Sequence, residues 1–234
     1  VDIPTAITDE DYEANTESAK HYHQVLMDAQ EGELWDYLTE TRGLDVKTLQ
    51  HFLIGEVPAA GGDVPAGHNH VRGYVAIPYM NERGVTALRF RAMPGIDGPK
   101  YMDLSGAGTW VYNVTAIKHG GSTITVCEGE VDTMTAHQMG LHAVGLSGAQ
   151  KWKPYHRNLL EGFSHIRVLC DNDDSGAGME LGETIKQQMS NSYVELLPAP
   201  PEHDVNSAYL EGGTEHLLNY WGIEPDFYFL EENN

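Results

Sequence analysis

Between residues 123 and 206 the sequence alternates between two periods. Short apolar runs, ITVC (124–127), HAVGL (142–146), HIRVLC (165–170) and YVELL (193–197), are separated by stretches with helical spacing at 130–140, 153–161 and 175–190. Strand followed by helix, repeated, is the pattern of a parallel sheet with helices on both faces, because each helix carries the chain back to start the next strand in the same direction. The fold class expected is therefore α/β.

In an open sheet of this kind the chemistry gathers beyond the carboxyl ends of the strands. Three of those ends carry acids. The first strand runs into Glu128-Gly129, the third into Asp171-Asn172-Asp173, and the last into LPAPPEHDVN, which places Asp204 beyond it. Asp132 follows Glu128 by four residues, one helical turn on and on the same side. If the strand persists through DND, alternation points Asp171 and Asp173 the same way. Carboxylates brought this close repel one another or take up protons unless a cation neutralises them. An oxygen-only ligand set suits Mg²⁺ or Mn²⁺, which keep part of their water and bind phosphate oxygens. Gly129 and the DDSGAG turn let backbone approach a phosphate closely.

Ahead of this stretch, residues 1–15 read as an irregular lead. Tyr22, Val25, Leu26, Ala29, Leu34, Trp35 and Leu38 suit helix from about Thr16 to Thr39, broken near Gly32. Asp45 before Val46, Leu49 and Phe52 caps a short helix. Residues 56–70 form a Gly- and Pro-rich loop, with GHNH (67–70) in solvent or beside a phosphate. YVAIPYM and VTALRFRAM make a hairpin around NERG. A short helix at Thr214–Trp221 closes the chain.

The net charge of −21 at first argues against a nucleic-acid binder, but its distribution matters more. Residues 1–41 hold eleven acids and one Lys, and residues 128–234 hold eighteen acids and five Lys or Arg. The middle, 42–127, holds eight Lys or Arg against six acids. A polyanion could dock there. The two cysteines, Cys127 and Cys170, are too few for a four-Cys zinc ribbon and end apolar runs, as buried strand residues do. No apolar stretch is long enough to span a membrane, and the acidic start does not resemble a signal peptide, so a cytoplasmic protein is expected.

VCEGEVDTMTAHQMG, VLCDNDDSGAGM and LPAPPEHDVN together resemble the three signature segments of a Toprim domain. YLTETRGLDVKTLQHFLIGEVP (37–58), RGYVAIPYMNERGVTALRFRAM and GPKYMD are similar to the catalytic core of bacterial and phage DnaG-type primases. The resemblance covers about residues 34–212. It implies an α+β subdomain followed by a Rossmann-like parallel-sheet Toprim domain, divided as an acidic helical lead (1–33), a primase-core N-terminal subdomain (34–121), the Toprim domain (122–212) and a C-terminal helix and tail (213–234). It also implies catalysis by Glu128, Asp171 and Asp173, and Mg²⁺ or Mn²⁺ held by these with Asp204 and Asp132. Arg91 and Lys100 would contact the nucleotide, and Arg42 and Arg72 the template.

The implied reaction is synthesis of short RNA primers on single-stranded DNA from ribonucleoside triphosphates. The setting would be a bacterial cell or phage-infected host, with a replicative helicase or a separate zinc-binding module as partner. A Toprim nuclease and a catalytically weak DNA-binding module are the alternatives. Two departures stand out. LSGAGTWVYNV (104–114) lacks the Lys or Arg that primases usually carry there, and the family's last acidic pair is represented by Asp204 and Asn206.

Overall fold

The computed structural model describes residues 7–59, 61–103, 110–147 and 152–227. They divide into two compact units, the described residues up to Trp110 and those from Val111 onward.

The first unit opens with helix α1, Asp9–Ala29, which starts well before the irregular lead was expected to end. The reason is local. Thr8 Oγ1 accepts from the Asp11 N–H, and the Asp11 carboxylate accepts from the Thr8 N–H, which satisfies otherwise orphaned donors at both positions. Asp9, Glu10 and Asp11 then lie at the positive end of the helix dipole. After Gly32 come α2 (Glu33–Asp36), a π-helical turn over Tyr37–Thr41, and α3 (Val46–His51), whose cap Asp45 accepts from the Thr48 N–H at 2.7 Å.

An antiparallel sheet follows in the order β1 (Gly55–Glu56), β2 (Val75–Asn81), β3 (Gly84–Arg91) and β4 (Tyr101–Asp103). The β2–β3 hairpin lies where alternation placed it. Tyr22 and Ala19 of α1 pack on Val57, Val71, Leu88 and Phe90 and close this core. His68 is not a solvent residue: it is 7% exposed and its Nδ1 meets the Tyr22 hydroxyl at 2.6 Å.

In the second unit α4 (Ala116–His119) precedes β5 (Thr123–Cys127), α5 (Glu130–Gln138), β6 (Ala143–Gly145), α6 (Pro154–Leu160), β7 (His165–Cys170), α7 (Ala177–Gln188), β8 (Tyr193–Pro198) and α8 (Val205–Trp221). The strands pair in parallel in the order β6-β5-β7-β8. Alternation divides their side chains between two cores. Ile124, Val126, Ile166, Val168 and Cys170 pack with Leu160 of α6 and Leu181 and Ile185 of α7. Cys127, Leu169 and Leu197 pack with Ala136 of α5 and Leu217 and Trp221 of α8. Helices thus cover both faces, and both cysteines are buried free thiols. The chain leaves β5 outward to β6 and then returns to β7 on the other side. That reversal opens a crevice beyond the carboxyl ends of β5 and β7, the place where such sheets bind ligands.

Helix α8 is longer than the expected 214–221. Asp204 and Ser207 form a reciprocal cap at its start, and Val205 and Ala208 are buried against the α5 side. Gly213, with φ near +72°, kinks it and hides the first half from a search for continuous helical spacing. Beyond α8 the chain returns under the sheet. The N–H groups of Asp226 and Phe227 both donate to the Gly140 carbonyl. The Asp226 carboxylate accepts from the His142 N–H at 3.0 Å and from Arg167 Nη1 of β7 at 2.9 Å. The Arg167 and Asp226 side chains are only 12% and 13% exposed.

Candidate active site

Four acids converge on the crevice between β5 and β7. Glu128 is the first residue past β5 and Asp171 the first past β7. Asp132 comes from the first turn of α5 and is 9% exposed, and Asp204 caps α8, its Oδ1 accepting from the Ser207 N–H at 2.7 Å. Asp171 is the focus. Burial raises its carboxyl well above the usual carboxylate range, and the charges of Asp132, Glu128 and Asp204 raise it further. The Val205 N–H, donating from the start of α8, opposes them. Asp171 Oδ1 is buried and meets no hydrogen-bond donor among the described residues. An acceptor-only oxygen, desolvated and pressed by three like charges, is chemically what a divalent cation relieves. The chemistry of these oxygens therefore suits a hard divalent cation. Among the described residues, however, no three His, Cys, Asp or Glu side chains stand close enough together to hold a metal ion as they are placed.

Asp173 stands apart. Strand β7 ends at Cys170, and Asn172 turns to pair with the β8–α8 loop. Its N–H donates to the His203 carbonyl and its own carbonyl accepts from the Glu202 N–H, both at 2.9 Å. The alternation that would have aligned Asp173 with Asp171 is lost there. The exposed Asp173 carboxylate accepts instead from the N–H and hydroxyl of Ser175, at 3.0 and 2.6 Å. These bonds hold it below its usual range.

Sequence reasoning missed three supports. Gly178 in α7 lies so close to Asp171 that a Cβ there would stand 2.6 Å from its backbone nitrogen and oxygen. Asn172 Nδ2 donates to the Ala199 carbonyl at 2.9 Å. Asn206 is fully buried: its N–H donates to Asp132 Oδ1 at 3.2 Å and its amide to Thr135 Oγ1 at 2.9 Å. The neutral residue at this departure from the family pattern thus ties α8 to α5. Only the SGAG spacing hinted at Gly178. His203 faces Ser207 Oγ and Glu211. Trp152 and Tyr155 pack on the α6–α7 side core, with the Trp152 indole donating to Gln188. Lys151 lies outside the described residues.

The basic candidates belong to the first unit. Arg91 on β3 is 7% exposed and donates through Nη1 to the Tyr101 hydroxyl at 2.5 Å. Arg42 Nε donates to the Tyr37 hydroxyl at 3.0 Å. Lys100 is exposed, its ammonium 5.8 Å from the Tyr101 ring. Arg89, two residues from Arg91, stacks on the same ring at 4.3 Å and reaches Asp103 at 3.5 Å. Arg72 is committed differently. Its Nη1 donates to the carbonyls of Pro58, Ala59 and Gly62 at 2.9–3.2 Å, and its Nε to Asn69 Oδ1. It gathers the 56–70 loop. Removing it as Arg72→Ala is expected to lower Tm by roughly 2–6 °C, the effect of about 1–2 kcal/mol in a chain of this size, as read by thermal denaturation.

Residues 125–209 match the Toprim-like family model. The gene 57 protein of Mycobacterium phage D29 is 36% identical over 153 residues, a match covering 63% of this chain and 97% of that protein. The DNA primase of Listeria monocytogenes is 25% identical over 227 residues, 80% of this chain. The solved zinc-binding and RNA polymerase domains of the Aquifex aeolicus primase superpose with a TM-score of 0.74 over 92% of this chain, at 18% identity. The chain belongs to the family of the phage gene 57 protein, carries a Toprim-like segment, and has the fold of DnaG-type primase catalytic cores. It spans 36% of the length of the Listeria primase and 62% of the Aquifex chain. The four converging acids occupy the Toprim-like segment, and the arginine–tyrosine cluster precedes it in the chain. No helix among the described residues is long and apolar enough to cross a membrane.

Proposed function

We propose that this chain is the catalytic core of a DNA primase, joining ribonucleotides on a single-stranded DNA template. The observation that carries the reading is Asp171: a buried, unpaired carboxylate oxygen under the charge of Glu128, Asp132 and Asp204, at the switch point of a parallel sheet. Asp171, with those three acids beside it, would hold Mg²⁺ or Mn²⁺, and Asp173 would join only if its bonds to Ser175 were released. The cation, when bound, supplies charge neutralisation for phosphate oxygens and lowers the pKa of the attacking hydroxyl.

In this reading a ribonucleotide 3′-hydroxyl attacks the α-phosphate of the next nucleotide, the bond to the leaving oxygen breaks, and pyrophosphate departs. Glu128, at the crevice mouth, orients the hydroxyl or takes its proton. Lys100 grips triphosphate oxygens by charge-assisted hydrogen bonds, and Arg91 and Arg42 contact phosphates of the nucleotide or of the template. Arg72 supports template binding by fixing its loop. In this reading the chain's partner is a replicative helicase or a separate zinc-binding module.

The test is primer synthesis on single-stranded DNA with ribonucleoside triphosphates and Mg²⁺ or Mn²⁺, comparing wild type with Glu128→Gln. Labelled primers from wild type, reduced about 10²-fold or more in the variant, are expected. Equal yields from both would remove Glu128 from the site. Cleavage of labelled DNA without nucleotides, and no primers, would replace this reading with a Toprim nuclease.

A further inference from the structure

Tyr37 lies beside two of the residues to which the primase reading gives phosphate contacts, although 54 residues separate it from one of them. Its hydroxyl accepts from Arg42 Nε at 3.0 Å, and the Arg42 guanidinium lies 5.3 Å from its ring. The Arg91 guanidinium lies 6.0 Å from the same ring and donates onward to the Tyr101 hydroxyl. Tyr37 is itself 5% exposed, so it is a support rather than a surface residue.

The backbone explains the meeting. Tyr37–Thr41 is a π-helical turn, closed by the Arg42 N–H donating to the Tyr37 carbonyl at 3.0 Å. In an α-helix, residues five apart point about 140° away from each other. The wider π turn bonds i to i+5 and brings them back onto one side. The extra residue in this turn is what sets Arg42 over Tyr37. The other flank of the cluster is a sheet: Arg91 pairs with Tyr101 in the β3–β4 register.

We propose that Tyr37 is a positioning residue that locks Arg42 and Arg91 into one phosphate-gripping unit, so that both act on the same phosphorylated ligand rather than on template and nucleotide separately. The proposal rests on the primase reading for its ligand class, the phosphates of single-stranded DNA or of a nucleoside triphosphate. A buried ring approached by both guanidiniums, and hydrogen-bonded to one of them, limits how far either side chain can swing. It also lowers the entropy each side chain loses on gripping a phosphate.

The test measures binding of a fluorescent oligo-dT to the whole chain at several salt concentrations, for Tyr37→Phe, Arg42→Ala, Arg91→Ala and their pairs. The KM for ribonucleoside triphosphate in primer extension is measured alongside. Tyr37→Phe keeps the ring and loses the bond to Arg42; it should weaken one ligand about threefold to tenfold with kcat little changed. Tyr37→Leu should weaken it further, and Arg42→Ala should matter less once Tyr37→Phe is in place. If oligo-dT affinity and its salt slope respond, the shared ligand is the template strand. If KM alone responds, it is the triphosphate. Wild-type affinity and KM in Tyr37→Phe would overturn the proposal, as would independent, additive losses from Arg42→Ala and Arg91→Ala on different ligands. Absence of primers from wild type, with oligo-dT binding still weakened by Tyr37→Phe, would sink the priming reading and leave this one standing.

Discussion

Asp171→Asn will make the metal-free protein more stable at pH 8 and, at the same time, take away its response to Mn²⁺ and its activity. The folded-state carboxyl titrates well above its ordinary value because it is buried and faces Asp132, Glu128 and Asp204. Between about pH 4, where the unfolded chain has released this proton, and the raised folded value, the native state binds more protons than the unfolded one. Stability of the metal-free wild type therefore falls as pH rises through that window. Asparagine keeps the shape and removes the charge. Its metal-free Tm should match wild type below about pH 4, where the carboxyl is protonated in both states, and exceed it at pH 8 by roughly 2–6 °C, the effect of about 1–2 kcal/mol. Added Mn²⁺ should raise the wild-type Tm at pH 8 by mass action and leave the variant unmoved. Primer synthesis should drop about 10²–10³-fold. A variant whose Tm follows wild type at both pH values would show that no like-charge pressure acts on Asp171.

A single methyl group placed on Gly178 should do nearly as much damage by a different route. The added Cβ would stand 2.6 Å from the Asp171 nitrogen and oxygen, backbone atoms that cannot rotate aside. Helix α7 must retreat or Asp171 must move. The strain is worth about 1–3 kcal/mol, and a displacement of roughly 1 Å at a reacting centre can cost about 10²-fold in rate. Oligonucleotide binding through the first unit should be unaffected. The control is Gly176→Ala. Gly176 has φ near +67°, so alanine is strained there by about 1–2 kcal/mol, but its surroundings are open and Asp171 stays put. Equal loss of primer synthesis in both variants would show that general destabilisation, not displacement of Asp171, is at work.

What the sequence made legible follows from what each feature depends on. The parallel sheet was legible because β5 to β8 and the helices between them carry their own periodicity, and acids at strand ends need only that periodicity to be placed. Asp171 and Asp173 looked equivalent because alternation was carried one residue too far. The strand stops at Cys170, and it stops because Asn172 finds partners in the β8–α8 loop, a tertiary event with no local signal. The same holds for Arg72, whose carbonyl partners lie ten to fourteen residues upstream. Helix α1 was signalled locally by Thr8 and Asp11 but obscured by its density of acids. The first half of α8 was obscured by the Gly212-Gly213 pair. The π turn at Tyr37 left no mark that distinguishes it from ordinary helix.

The return of the chain beneath the sheet bears on how this protein can be cut. A fragment ending at residue 209, where the family match stops, would sever α8 and strip Leu217, Leu218 and Trp221 from the core that holds Cys127 and Leu169. One ending at Trp221 would keep that core yet take from the mostly buried Arg167 its counter-ion Asp226, and from the backbone of His142 and Gly140 their partners. A cut that preserves these described contacts therefore falls after Phe227. Expression boundaries, fusion partners and protease sites are best chosen beyond it.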